Sequence, residues 1–133
     1  MPGSYSLVLA ICVVVGAALL HEFGHAWTAR AVGWKVIGLH WRWYGVALVA
    51  DSNGKPEQLW KVALGGLAAT ALVALGFLAG TVLPDTDSVL FGLGFAVNAA
   101  LLFTNLVPLP SLDGGQLLVG MRRVRTHDPC SGP

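Results

Sequence analysis

Apolar residues dominate three long runs of the chain, Leu7 to Leu20, Val62 to Leu83 and Val89 to Val107, and polar positions gather between them. A helix crosses the roughly 30 Å hydrocarbon core of a bilayer with about 20 mainly apolar residues, so each run predicts a membrane span. The first extends from about Tyr5 through His21 and His25 to about Ala31, longer than one crossing requires, and its last turns are expected to project beyond the bilayer. Trp60 and Lys61 open the second span (about 62–83) as interfacial anchors, and Pro84 stops it. The third (about 89–107) ends at Pro108 and Pro110, each of which removes a backbone donor and crowds the turn before it. Between the first two spans the period changes. Leu39, Trp41 and Trp43 alternate with His40, Arg42 and Tyr44, which predicts an amphipathic strand with aromatic residues suited to the interface. The expected fold is an all-α membrane protein of three transmembrane helices, with a short membrane-associated strand or hairpin between the first and second. Gly76 with Gly80, and Gly92 with Ala96 and Ala100, read as ordinary helix packing.

Composition agrees with the pattern. The chain is 55% hydrophobic and 11% charged, against roughly 25% charged in a soluble domain. Its partners are therefore expected to be the lipid bilayer and membrane proteins, and a net charge of +1 gives no argument for nucleic acid. Its 133 residues predict one domain, 1–133, ending in a polar tail of about 122–133. Cys12 lies in an apolar run and Cys130 in the tail, so they form neither a disulfide framework nor a thiolate site. Arg30, Lys35, Arg42, Lys55 and Lys61 lie between spans one and two, and Arg122, Arg123 and Arg125 follow span three; the loop between spans two and three holds only Asp85 and Asp87. The positive-inside rule places the amino terminus outside the cell membrane and the carboxyl terminus in the cytoplasm. His21 then lies about 24 Å along its span at about 1.5 Å per residue, just inside the cytoplasmic face, level with the end of span three. A cleaved signal peptide is the alternative for residues 1–20, but the basic n-region is absent and cleavage would remove the helix that carries the histidines.

Ionisable groups are costly in hydrocarbon and seldom sit there without a function, which draws attention to His21-Glu22-Phe23-Gly24-His25. Histidines at i and i+4 share one helix face and can bind one zinc ion, while the glutamate between them can act as general base on a water. That spacing reads as a metallohydrolase working in or beside the membrane. A catalytic zinc usually takes three protein ligands, and the third candidate is Asp113, where Pro108 and Pro110 end a helix and Gly114-Gly115 permits unusual backbone angles. Asp-Gly-Gly also reads as a plain turn. Glu57, in a polar loop, is the alternative ligand; depth favours Asp113. Asn98 and Asn105 are seven residues apart, near one face of span three. An amide there either holds the substrate backbone or the developing oxyanion or makes an interhelical hydrogen bond; the second is favoured for Asn98, and the first for Asn105 because of its place in the Asn105–Asp113 motif. His40, between tryptophans, reads as an interfacial residue. The stretch Lys35–Ala50 is either a strand that pairs with extended substrate or a membrane-lying connector.

Together, HEFGHAWTARAVG from His21 and NLVPLPSLDGG from Asn105 resemble the site-2 protease family (peptidase family M50) of intramembrane zinc metalloproteases, which pair an HExxH helix with an Asn-x-x-Pro-x-Pro-x-x-Asp-Gly segment. The resemblance covers about Leu7 to Leu118. It implies one zinc ion held by His21, His25 and Asp113, Glu22 as the catalytic carboxylate, and a single-pass membrane protein or signal-peptide remnant as substrate. Two departures stand out. Many members open the middle span with Gly-Pro-Leu-Ala-Asn, where this chain has Gly65-Gly66-Leu67-Ala68-Ala69. The PDZ or CBS domains of many relatives are absent from the 133 residues, so the expectation is the minimal three-helix core. The rival of another class is a catalytically silent membrane-embedded binding or regulatory protein of the same fold; intact His21, Glu22, His25 and Asp113 argue against it.

Overall fold

A computed structural model describes residues 3–42, 45–53, 55–84 and 87–126. Trp43, Tyr44, Asp85 and the tail from residue 127, with Cys130, lie outside the described residues. The elements are α1 (Gly3–Ala31), β1 (Lys35–Arg42), β2 (Gly45–Asp51), a 3-10 turn (Pro56–Gln58), α2 (Leu59–Gly80), α3 (Ser88–Leu106) and α4 (Asp113–Thr126). Among the described residues, three helical stretches are long and apolar enough to cross a membrane: Leu7–Ala31, Leu59–Gly80 and Ser88–Leu106. This suits a membrane protein.

α2 is the hub, packed against α1, α3 and α4. Its approach to α1 is close because glycines face each other. A Cβ on Gly24 would strike the Gly65 carbonyl, and one on Gly65 would strike Thr28. On the other side, Phe77 and Phe91 meet edge to face with ring centroids 5.9 Å apart, each seated over a glycine of the opposite helix, Gly94 and Gly80. The buried apolar residues are mostly small, including Ala17, Ala29, Ala63 and Ala74, whereas Leu7, Val8, Ile11, Val14, Leu72 and Phe103 point outward. Large apolar groups outside and small or polar groups inside is the arrangement a lipid environment allows.

Helix ends explain where the sequence expectation shifts. α1 closes at Gly33, whose φ of +83° suits glycine; Trp34 N–H donates to Ala29 O and Gly33 N–H to Arg30 O, a Schellman pair. α2 spans 59–80 rather than 62–83. The 3-10 turn feeds directly into it, and Thr81, Val82 and Leu83 bond in tight i to i−3 turns ahead of Pro84. Asp87, counted from sequence only as a charge, caps α3 by accepting from Val89 N–H and Leu90 N–H at 3.0 and 3.1 Å.

The larger correction is α4. The three-span reading with a polar tail from about 122 missed this fourth helix, which continues to Thr126. Gly114 and Gly115 suggested a turn, yet neither adopts positive φ; among the described residues only Gly33 and Asn53 do. The glycines serve close approach instead. A Cβ on Gly114 would strike Leu106 O and one on Gly115 would strike Leu109 O, so the first turn of α4 lies directly against the chain leaving α3. Farther along, Gly120 lets α4 touch the backbone of Trp60.

β1 and β2 form the expected hairpin, with Leu39 opposite Leu48, His40 opposite Ala47, Trp41 opposite Val46 and a bulge at Ile37. Ile37, Leu39 and Trp41 alternate along β1 and are all exposed, an apolar face turned away from the protein.

Candidate metal centre

α1 carries His21, Glu22 and His25 on its buried side, and the turn through Pro108 and Pro110 returns the chain so that Asp113, opening α4, meets them. The Nε2 atoms of His21 and His25 are 3.1 Å apart. Asp113 Oδ2 lies 3.1 Å from His21 Nε2, and Oδ1 lies 3.2 Å from His25 Nε2. All three side chains are buried, at 4, 7 and 5% exposure for His21, His25 and Asp113. His21, Glu22 and His25 also offer donor atoms within 4.8 Å of one another.

Each imidazole is held from behind. His25 Nδ1 is 2.8 Å from the Val62 carbonyl, which can only accept, so Nδ1 carries the proton. His21 Nδ1 is 2.8 Å from Thr70 Oγ1, whose own hydrogen goes to Gly66 O at 3.0 Å, so His21 Nδ1 is the donor here too. Both Nε2 lone pairs therefore point inward, at each other and at a carboxylate. Three electron-pair donors do not meet at such distances without positive charge among them, and two protonated rings would set N–H against N–H across 3.1 Å. Asp113 Oδ2 moreover is buried without a hydrogen-bond partner. Tetrahedral bonds of about 2.0–2.1 Å set neighbouring ligand atoms about 3.3 Å apart, so one zinc ion fits this donor set.

Glu22 faces a different element. Its Oε2 accepts from the Leu48 N–H of β2 at 2.8 Å. Since β1 pairs with the other edge of β2, this donor belongs to the unpaired edge, and Val46, Ala47, Leu48 and Ala50 line one wall of a cavity of about 580 Å³. His21, Glu22, His25 and Asp113 lie along the same cavity, as does Asn105, whose Nδ2 donates to Leu101 O at 2.9 Å. Asn98 is elsewhere: 1% exposed, it donates to Gly94 O of its own helix at 2.8 Å and leaves Oδ1 without a partner, so the expected interhelical bond is replaced by one inside α3. Glu57 sits in the 3-10 turn, away from the cavity lining, and His40 is exposed on β1.

Sequence reasoning missed Thr70, Gly66, the Val62 carbonyl and the Leu48 N–H. Thr70 had a signal, as the lone hydroxyl between Leu59 and Gly80. Backbone groups have none.

No protein-family model matches the chain. A search of curated proteins finds similarity to sll0528 of Synechocystis sp. (strain ATCC 27184 / PCC 6803 / Kazusa), a protein whose name proposes a zinc metalloprotease, at 31% identity over 121 residues. The aligned part is 88% of this chain and 32% of the relative, so the chain spans about a third of that protein's length. The similarity points to zinc metalloproteases, in keeping with the clustered His21, Glu22 and His25.

Proposed function

We propose that this chain is a membrane zinc endopeptidase of the site-2 protease type, cutting a single-pass membrane protein or signal-peptide-like segment within or beside the bilayer. The observation that carries the reading is the convergence of His21 Nε2, His25 Nε2 and the Asp113 carboxylate at 3.1 to 3.2 Å, beside Glu22, with both histidines on a helix of membrane-spanning length. The similarity to sll0528 and the paired motifs from His21 and Asn105 support it. His21, His25 and Asp113 would hold one zinc ion, which when bound would supply Lewis acidity toward the scissile carbonyl and acidify the attacking water. Glu22 takes the proton of the attacking water and returns it to the leaving amide nitrogen. The Leu48 N–H fixes Oε2, so Oε1 is the oxygen left to act as base. Asn105, on the cavity wall, steadies the substrate backbone or the developing oxyanion.

A peptide bond in an intact helix is masked by its own hydrogen bonds, so the substrate must enter extended. The unpaired edge of β2 lines the cavity and offers backbone groups to such a segment, which favours strand addition over a passive connector. The basic residues around the ends of α1, α2 and α4 favour a cytoplasmic site with the amino terminus outside. Residues 1–133 are read as one catalytic domain. The test is Glu22→Gln. Glutamine keeps size and hydrogen-bonding shape but cannot take the proton, so cleavage of a model transmembrane substrate is abolished while bound zinc stays at the wild-type level. Full activity in that variant would remove Glu22 from the chemistry.

A further inference from the structure

α2 contributes nothing to the hydrolytic step, yet positions one turn apart on a single face of it, 62, 66 and 70, each meet a histidine of α1. Val62 supplies the carbonyl that accepts from His25 Nδ1. Gly66 supplies space, because a Cβ there would strike the His25 ring at Cε1 and Nε2. Thr70 supplies the acceptor for His21 Nδ1. We infer that this stripe of α2 sets the ring orientation and tautomer of both histidines, with Thr70 as the positioning residue for His21. The inference rests on the metal-site reading above and extends it to a helix that the motifs do not mark.

Thr70 is 1% exposed and the sole hydroxyl of α2. A threonine inside an apolar helix satisfies its hydroxyl by bonding the carbonyl four residues back, as Thr70 does with Gly66 O. It has no need of His21 on its own account; His21 has need of it. A neutral imidazole carries its proton on either nitrogen, and with Nδ1 unpartnered the proton can sit on Nε2, 3.1 Å from both His25 Nε2 and Asp113 Oδ2, where the metal has to bind. An oxygen acceptor at Nδ1 keeps Nε2 free and makes it a better donor to the metal. The two histidines differ in vulnerability. His25 leans on a backbone carbonyl that no side-chain substitution removes, whereas the support of His21 hangs on one hydroxyl.

The experiment measures zinc affinity by chelator competition on purified full-length wild type, Thr70→Val, Thr70→Ser and His21→Ala, together with the visible spectrum of the cobalt-substituted proteins and the melting temperature of the metal-free forms. Valine matches threonine in shape and removes the acceptor; serine keeps it. Removing an outer partner of a ligating histidine weakens metal binding by about 10 to 100-fold, so Thr70→Val is expected to lose that much with an altered cobalt spectrum, and Thr70→Ser to stay within about threefold of wild type. Wild-type affinity and spectrum in Thr70→Val, while His21→Ala loses the metal, would overturn the positioning role and leave the metal site standing. Equal losses in Thr70→Val and Thr70→Ser, tracking lowered metal-free melting temperatures, would overturn it in favour of a packing role. A wild-type chain that takes up no zinc would instead overturn the metal-site reading, and this inference with it.

Discussion

Between Leu7 and Leu20, α1 turns Leu7, Val8, Ile11, Val14 and Leu19 outward and buries only Ala17, whereas between His21 and Ala31 it buries His21, Glu22, Gly24, His25 and Ala29. One helix thus follows two rules. In its first half the side chains need only be apolar, because the surroundings ask nothing else of them. In the second half the buried polar side chains are held by particular groups: Thr70 Oγ1 and the Val62 carbonyl at the Nδ1 atoms of His21 and His25, and the Leu48 N–H at Glu22 Oε2. Burying polar groups costs free energy unless they are matched by partners or by a bound ion, so the second half tolerates only specific residues while the first tolerates any of suitable hydropathy. The difference comes from the neighbours, since α2, β2 and α4 converge on the site half.

That contrast can be broken by substitution, beginning with the largest effect. His21→Ala and His25→Ala each leave too few donors, and zinc retained after purification is expected to fall below about a tenth of wild type with proteolysis lost. Elemental analysis paired with substrate cleavage checks this, and retention of zinc in either variant would dissolve the special status of the second half. Gly66→Ala comes next. Its new methyl meets the His25 ring, so a loss of about 1–3 kcal/mol in stability is expected alongside weakened metal binding, read by thermal melts with and without zinc. Asn105→Ala sharpens the comparison by separating chemistry from coordination: turnover is expected to fall about a hundredfold, the scale of one lost oxyanion donor, with zinc content unchanged. The smallest effects belong to the outward face. Ile11→Ala and Val14→Ala are expected to change stability by less than about 0.5 kcal/mol in detergent melts, and a larger loss would mean that this face packs against a partner.

Much of this division was legible in the sequence, though unevenly. Hydropathy marks the three long helices because lipid imposes a plain requirement on composition, and the i, i+4 histidines fix their own shared face. The alternation at Leu39 and Trp41 marks β1, and the hairpin follows. α4 was not legible, because Gly114 and Gly115 carry the same letters whether they bend the chain or let two segments touch, and only the touching chain distinguishes the cases. Asp113 was placed near the histidines by depth along the spans, an argument that gives the level but not the approach of its carboxylate. Asn98 and Asn105 looked alike, yet one is sealed inside α3 contacts and the other lines the cavity. Leu48 illustrates the limit: its contribution to Glu22 is a backbone N–H, which any residue but proline would supply.

The most direct test of the account is the zinc bound per chain, measured by elemental analysis on purified wild type, Asp113→Ala and Glu57→Ala after equilibration with buffered zinc. With His21, His25 and Asp113 as the ligands, wild type and Glu57→Ala bind one ion each and Asp113→Ala binds almost none. Full zinc in Asp113→Ala, with loss in Glu57→Ala, would contradict it.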